Sequence, residues 1–237
     1  MLLLAWLLAP ALSFASVQGN DNLEYRDYDF NGLETMKVVN TSGKTTITPM
    51  PVNKVTISVE KKKFSENCQL NISRSTINQI DAEVVSPSGE TCDADINIQV
   101  PTDVALDMTT GSGDVDIEGM KGNLKLATGT GAVHSKSSFK NLDIVSGAGD
   151  VKLENLNSGG KVTTGSGKVD LKFIDQPNGE FSVKTASGDA DVHFPKGTKL
   201  NADLDSKGMT DSEFTTYTNG FPLSVKSASG DVEVRSY

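Results

Sequence analysis

Four Gly-x-Gly steps recur along this chain every 18 residues, at Gly111/Gly113, Gly129/Gly131, Gly147/Gly149 and Gly165/Gly167. Each is followed two residues later by valine: Val115, Val133, Val151 and Val169. A fixed period with one glycine-marked turn per unit signals a stacked repeat, in which each unit leans on its neighbours. Counted from the second glycine, position −7 is Leu106, Leu124, Leu142 and then Gly160; position −5 is Met108, Leu126, Ile144 and Val162. Position +4 is Ile117, Ser135, Leu153 and Leu171, and position −3 is always a hydroxyl: Thr110, Thr128, Ser146, Thr164.

A spacing of two within each apolar pair is strand alternation. The pattern therefore predicts two short strands per rung, apolar side chains inward, separated by a tight bend. Positive φ is the expected reason for glycine there. The inward hydroxyls are expected to bond the turn backbone or the next rung. The register continues around Gly188 and Gly230, with Gly208 between them as a degenerate rung, and upstream around Gly43. The last strand, Asp231 to Arg235, is expected to be an open edge guarded by its charges. Residues 106–237 thus read as regular rungs, and 50–108 as a less regular β segment capping their upstream end.

Glycine-rich (22 residues), poor in aromatics and without helical periodicity, the chain reads as all-β. Its net charge of −9 argues against nucleic acid and against anionic membrane surfaces. Residues 1–15 resemble a secretory signal peptide: Leu2 to Leu12 is apolar but too short to span a bilayer, and Ser13-Phe14-Ala15 has small residues where cleavage needs them. No basic residue precedes the run, and Ser16 stands where a lipid-anchored chain would have cysteine. Residues 16–29 then form an N-terminal extension. In an exported chain the two cysteines, Cys68 and Cys92, are expected to pair.

Catalytic and metal signatures find little support. The apolar gaps run 2, 7, 2, 7, which excludes the hexapeptide acyltransferase helix. A calcium β-roll needs aspartate where this chain has the valine column. Aspartates fall instead at the outward positions +1 and +3, where Asp114, Asp116, Asp150, Lys152, Lys168, Asp170, Asp189 and Asp191 make a charged face. Mixed-sign solvation is the plain reading of that face, and macromolecular binding the sharper one. His134 and His193 lie in no nucleophile motif. No cofactor and no metal site is expected.

Thr110-Gly-Ser-Gly-Asp-Val-Asp-Ile-Glu118, Ser146-Gly-Ala-Gly-Asp-Val-Lys-Leu-Glu154 and Ser227-Ala-Ser-Gly-Asp-Val-Glu-Val234 resemble the bacterial "putative adhesin" domain family of unknown function. Gly32-Leu33-Glu34 to Gly43 and Ile98-Gln99-Val100-Pro101 look similar too, so the resemblance covers residues 30–237. It implies a right-handed parallel β-helix (a single-stranded solenoid) exported to, or displayed at, the cell envelope, and it transfers no ligand residues. The expected function is a non-enzymatic solenoid contacting an unidentified protein or polysaccharide. The alternatives are a structural role in the periplasm through the last rung and, third, a polysaccharide-active enzyme.

Overall fold

The computed structural model describes residues 22–30, 32–51, 53–87 and 89–237; the expected signal peptide lies outside them. Every regular element among the described residues is a strand. In chain order these are β1 (Leu23–Asp29), β2 (Thr35–Asn40), β3 (Thr45–Pro49), β4 (Lys54–Lys63), β5 (Gln69–Thr76), β6 (Gln79–Val85) and β7 (Asp93–Val100). The repeats supply β8 (Ala105–Thr110), β9 (Val115–Glu118), β10 (Asn123–Thr128), β11 (Val133–Lys136), β12 (Asn141–Ala148), β13 (Val151–Ser166) and β14 (Val169–Ser187). The last five are β15 (Ala190–Phe194), β16 (Leu200–Ser206), β17 (Thr210–Ser212), β18 (Phe221–Ser227) and β19 (Val232–Ser236).

They form one continuous mixed sheet folded into two layers. The strand before each Gly-x-Gly bend lies in the first layer, and the strand after it in the second. In the first, Leu106 pairs with Leu124, Leu124 with Leu142, and Leu142 with Gly160, all parallel. In the second, Val115, Val133, Val151 and Val169 stand in direct register. The −5, +2 and +4 positions of these four rungs are buried, as are all four hydroxyls at −3. Thr110 donates to Thr128 Oγ1 (3.0 Å) and Thr164 to the carbonyl of Ser166 (2.8 Å), so the polar column is satisfied locally. Asn40 takes the same place in the Gly43 rung and donates to three oxygens, including the carbonyl of Ala94 at 3.0 Å.

A further buried column fills the corner where one rung passes to the next: Met120, Phe139, Leu156, Phe173 and Phe194. Periodicity missed it, because these residues lie six to eight positions past the second glycine and differ in type. Toward the downstream end the column is aromatic, with Phe173 and Phe194 stacked at 4.5 Å and Phe214 edge-on to Phe194. Gly160, the exception at −7, lies so close to Leu142 that a Cβ there would come 2.7 Å from that side chain's Cγ.

The glycines of the bends are needed for a reason other than the expected one. Of the eight in the regular steps, only Gly167 has φ in the left-handed region. Gly111, Gly113, Gly129, Gly131, Gly147, Gly149 and Gly165 do not, so the expectation of positive φ is corrected at all seven. The constraint is the neighbouring rung. A Cβ on Gly147 would lie 2.5 Å from the carbonyl oxygen of Gly129, and one on Gly165 equally close to that of Gly147. Gly149 is pressed harder still: a Cβ there would run into the carbonyl of Gly131, while its own N–H donates across to the carbonyl of Ser166 (3.2 Å). Gly113 and Gly131 meet the carbonyls of Gly43 and Gly113 in the same way.

Both ends of the stack are interleaved. The Gly43 rung (β2, β3) sits between β8/β9 on one side and β6/β7 on the other, although β6 and β7 come later in the chain. Part of the segment expected to be an irregular cap is thus a full rung. At the other end β18 pairs with β14, and β16 pairs outside β18. Likewise β19 lies between β15 and β17. The Gly208 rung is therefore outermost, and the last strand is an interior one: Val232 and Val234 are buried, and the open edge expected there belongs to β16 and β17. Register explains the order, since Phe181, Val183, Leu223 and Val225 are complete inward pairs, whereas in the slots matching Leu223 and Val225 the Gly208 rung offers only the half-buried Ala202 and Leu204.

Upstream, three antiparallel pairings close the stack: β5 on β6, β4 on β7, and β1 on β4. The expected N-terminal extension thus contributes a strand. Tyr28 bridges the two layers by donating to the carbonyl of Ile72 (3.0 Å), and burial raises its hydroxyl pKa. Cys68 and Cys92 form a disulfide across this end, with Cα atoms 5.6 Å apart.

Two outcomes follow for stability. Gly131→Ala should cost at least about 3 kcal/mol through the clash with the adjacent rung, whereas Gly197→Ala, at φ +86 with open space around it, should cost about 1 kcal/mol; urea unfolding midpoints compare them. Replacing both cysteines by serine should lower unfolding free energy by about 3 kcal/mol, read as a lower melting temperature that reductant does not shift further.

Candidate functional site

All eight charged residues singled out from the repeats lie on the outer face of the second layer, but they do different work. Position +1 is a capping ladder. Asp114 accepts from the main-chain N–H of Ala132 (2.9 Å), Asp150 from that of Lys168 (2.8 Å) and Asp189 from that of Asp231 (2.9 Å). Asp231 in turn accepts from Met209 (2.7 Å), and Asp95 from Lys44 (2.8 Å). Each aspartate thus satisfies an amide at the start of the adjoining rung's strand, which the bend leaves without a strand partner. The recurrence of aspartate at +1 is structural.

Position +3 forms a row across the layer. Paired neighbours run Tyr25, Ser58, Asn97, Thr46, Asp116, His134, Lys152, Asp170, Asp191, Glu233 and Asp211. Its charged stretch is laced by cations. Lys44 bonds Asp116, Lys168 bonds Asp191 at 2.5 Å, and Lys152 lies 3.2 Å from Glu154. Hydrogen bonding to Asp116 raises the Lys44 pKa, and hydrogen bonding to Asp191 raises that of Lys168. His134 lies 3.5 Å from Asp116 and His193 3.9 Å from Asp170. Among the described residues no group of three or more His, Cys, Asp or Glu side chains is placed to hold a metal ion.

The same face is hollowed along the stack. A depression of about 550 Å³ spans β3, β9, β11 and β13, its floor including Thr46, Asp116, His134 and Lys152. It shares Thr46 and Thr48 with a second of about 350 Å³ that reaches Tyr25. It shares Lys152 and Glu154 with a third of about 250 Å³ that ends at His193 and Tyr237. Tyr237 is held there by its hydroxyl bond to the carbonyl of Phe173 (2.7 Å) and by the Lys172 ammonium, 4.3 Å from its ring centre. The three join into one trough crossing nine strands from β1 to β15, roughly 38 Å at the usual strand spacing. Sequence reasoning found its charged half. It missed Tyr25, Ser58, Thr46, Asn97 and Gln99, which come from strands outside the regular repeat and join the trough only through antiparallel pairing and interleaving.

If the +1 ladder is structural, Asp150→Ala should lower stability by about 1 kcal/mol and Asp150→Asn by less, each measured by chemical denaturation of the folded chain.

The family model described as Toastrack DUF4097 aligns with residues 16–235. A solved structure from Bacteroides fragilis NCTC 9343, named "putative adhesin", superposes with a TM-score of 0.53 at 15% identity, covering 93% of this chain and 100% of that one. A "putative cell adhesion protein" from Clostridium sporogenes ATCC 15579 gives 0.48 at 14% identity, covering 91% and 99%. A "putative lipid binding protein" from Parabacteroides distasonis ATCC 8503 gives 0.45 at 13%, covering 92% and 99%. At 15% identity the Bacteroides fragilis likeness speaks to fold alone. No functionally curated protein matches the chain. By the alignment over nearly its whole length, the chain belongs to the Toastrack DUF4097 family.

Proposed function

We propose that this protein is an exported, non-enzymatic, adhesin-like solenoid, wound right-handed, whose second-layer outer face holds an extended macromolecule of the cell envelope. The observation that carries the reading is the trough itself: three shallow depressions sharing lining residues along one rigid face. Side chains repeat across it about every 4.8 Å, a spacing that suits a polymer better than a small molecule. Several supports agree. The disulfide fits an oxidising compartment. Among the described residues no helix is long and apolar enough to cross a membrane. The adhesin name of the Bacteroides fragilis structure points the same way. Asp116 and Asp191 are engaged by lysines and Asp150 by a main-chain amide, an arrangement that favours binding over proton transfer at these positions.

Assembly through the last rung, the competing reading, loses its premise, because β19 is flanked on both sides and Val232 is buried.

The test is retention of envelope-derived material by immobilised protein. Reversing Asp116, Lys152 and Asp170 together should reduce retention about tenfold at unchanged melting temperature. Undiminished retention by that variant would remove the face from the function.

A further inference from the structure

The upstream third of the trough differs chemically from the rest. Where β1, β4, β7 and β3 lie side by side, the depression of about 350 Å³ is lined by Tyr25, Thr46, Thr48, Thr56, Ser58, Asn97, Ile98 and Gln99, without a single charged side chain. On a chain of net charge −9, whose neighbouring rows alternate Asp, Lys and Glu, that neutrality stands out. It is also unspent: Thr56 donates to Asp27 (2.8 Å), whereas the side chains of Thr46, Thr48, Ser58, Asn97 and Gln99 have no hydrogen-bond partner among the described residues. Three hydroxyls and two amides therefore converge with donors and acceptors both free, since a hydroxyl or carboxamide offers each. Tyr25, 36% exposed, stands at the rim of the same hollow and directly opposite Ser58 in the β1–β4 pairing.

We propose that this hollow is a binding site for a neutral glycan chain. Uncharged sugar rings present dense hydroxyls of mixed donor and acceptor character together with apolar C–H faces. The hollow answers the first with five uncommitted polar side chains and the second with the Tyr25 ring. An acidic glycan would meet a net-negative protein here with no cation in the lining, and would leave its carboxylates unpaired. An apolar chain would bury five polar groups without partners. The paired row Ser58, Asn97, Thr46 steps by one strand at a time, about 4.8 Å, close to the advance of one pyranose ring in an extended chain. The chain would then continue over Thr48 into the charged half of the trough. This inference rests on the second-layer outer face being a binding surface and names the ligand class of its upstream end.

Affinity electrophoresis of the full chain tests it, in native gels cast with hydroxyethyl cellulose, amylopectin, galactomannan or arabinoxylan, and with polygalacturonate as the acidic comparison. Retardation by at least one neutral polymer and not by polygalacturonate is expected. Tyr25→Ala and Asn97→Asp should each weaken that retardation about fivefold at unchanged melting temperature. Lys161→Glu, on the outer face of the other layer, should change it less than about twofold. Indifference to all four neutral polymers, retardation by polygalacturonate alone, or retardation that both hollow variants retain would overturn the proposal. If envelope material is still retained through Asp116, Lys152 and Asp170 while the neutral polymers fail, only the ligand class falls. If retention fails as well, the reading of the whole face falls with it.

Discussion

The structure depends on how closely the bends stack. Each Gly-x-Gly step rests on the carbonyl of the step in the adjacent rung, nearer than any Cβ could approach. That contact fixes the vertical alignment of the rungs, and parallel pairing on both sides of the bend follows from it. Once the bends are in line, Val115, Val133, Val151 and Val169 have no choice but to stack, and the hydroxyls at −3 meet one another or the bend backbone. The aspartates at +1 complete the arrangement by accepting the amide that opens the adjoining strand. Glycine, valine, hydroxyl and aspartate recur together because they solve one geometric problem.

Interleaving at both ends changes how the array can form. A solenoid whose rungs follow chain order can grow by adding neighbours. Here β2 and β3 must wait for β6 and β7 on one side and β8 and β9 on the other, and β16 and β17 have no partner until β18 and β19 arrive. The terminal rungs are therefore long-range contacts, which cost more loop entropy to establish. In return the last strand is held on both sides, and the second layer's exposed edge at that end is shortened to the three residues of β17.

The outer face of the second layer illustrates what one-dimensional reading can find. Asp116, Lys152, Asp170 and Asp191 were legible because they repeat in register within one run of rungs. The work of Asp114, Asp150 and Asp189 was not, since a cap is defined by an amide 18 residues or more away. Ser58 belongs to a strand that runs antiparallel to the stack, and Tyr25 to one that joins the sheet only through that strand, so no period joins them to Asn97 and Thr46. Their neutrality as a group exists only in the assembled row.

What the chain determines by itself is its local grammar: the 18-residue period, the inward columns, the all-β character and the pairing of its two cysteines. These are readable because side-chain parity in a strand and the spacing of bends are set by near neighbours. Tertiary structure alone decides the rest. The order of the terminal rungs, the buried corner column from Met120 to Phe194, the true reason for bend glycines such as Gly149 and the neutral hollow beside Tyr25 all depend on which strands come to lie side by side. That choice is made by packing complete inward pairs against one another, an energy that no window of consecutive residues contains.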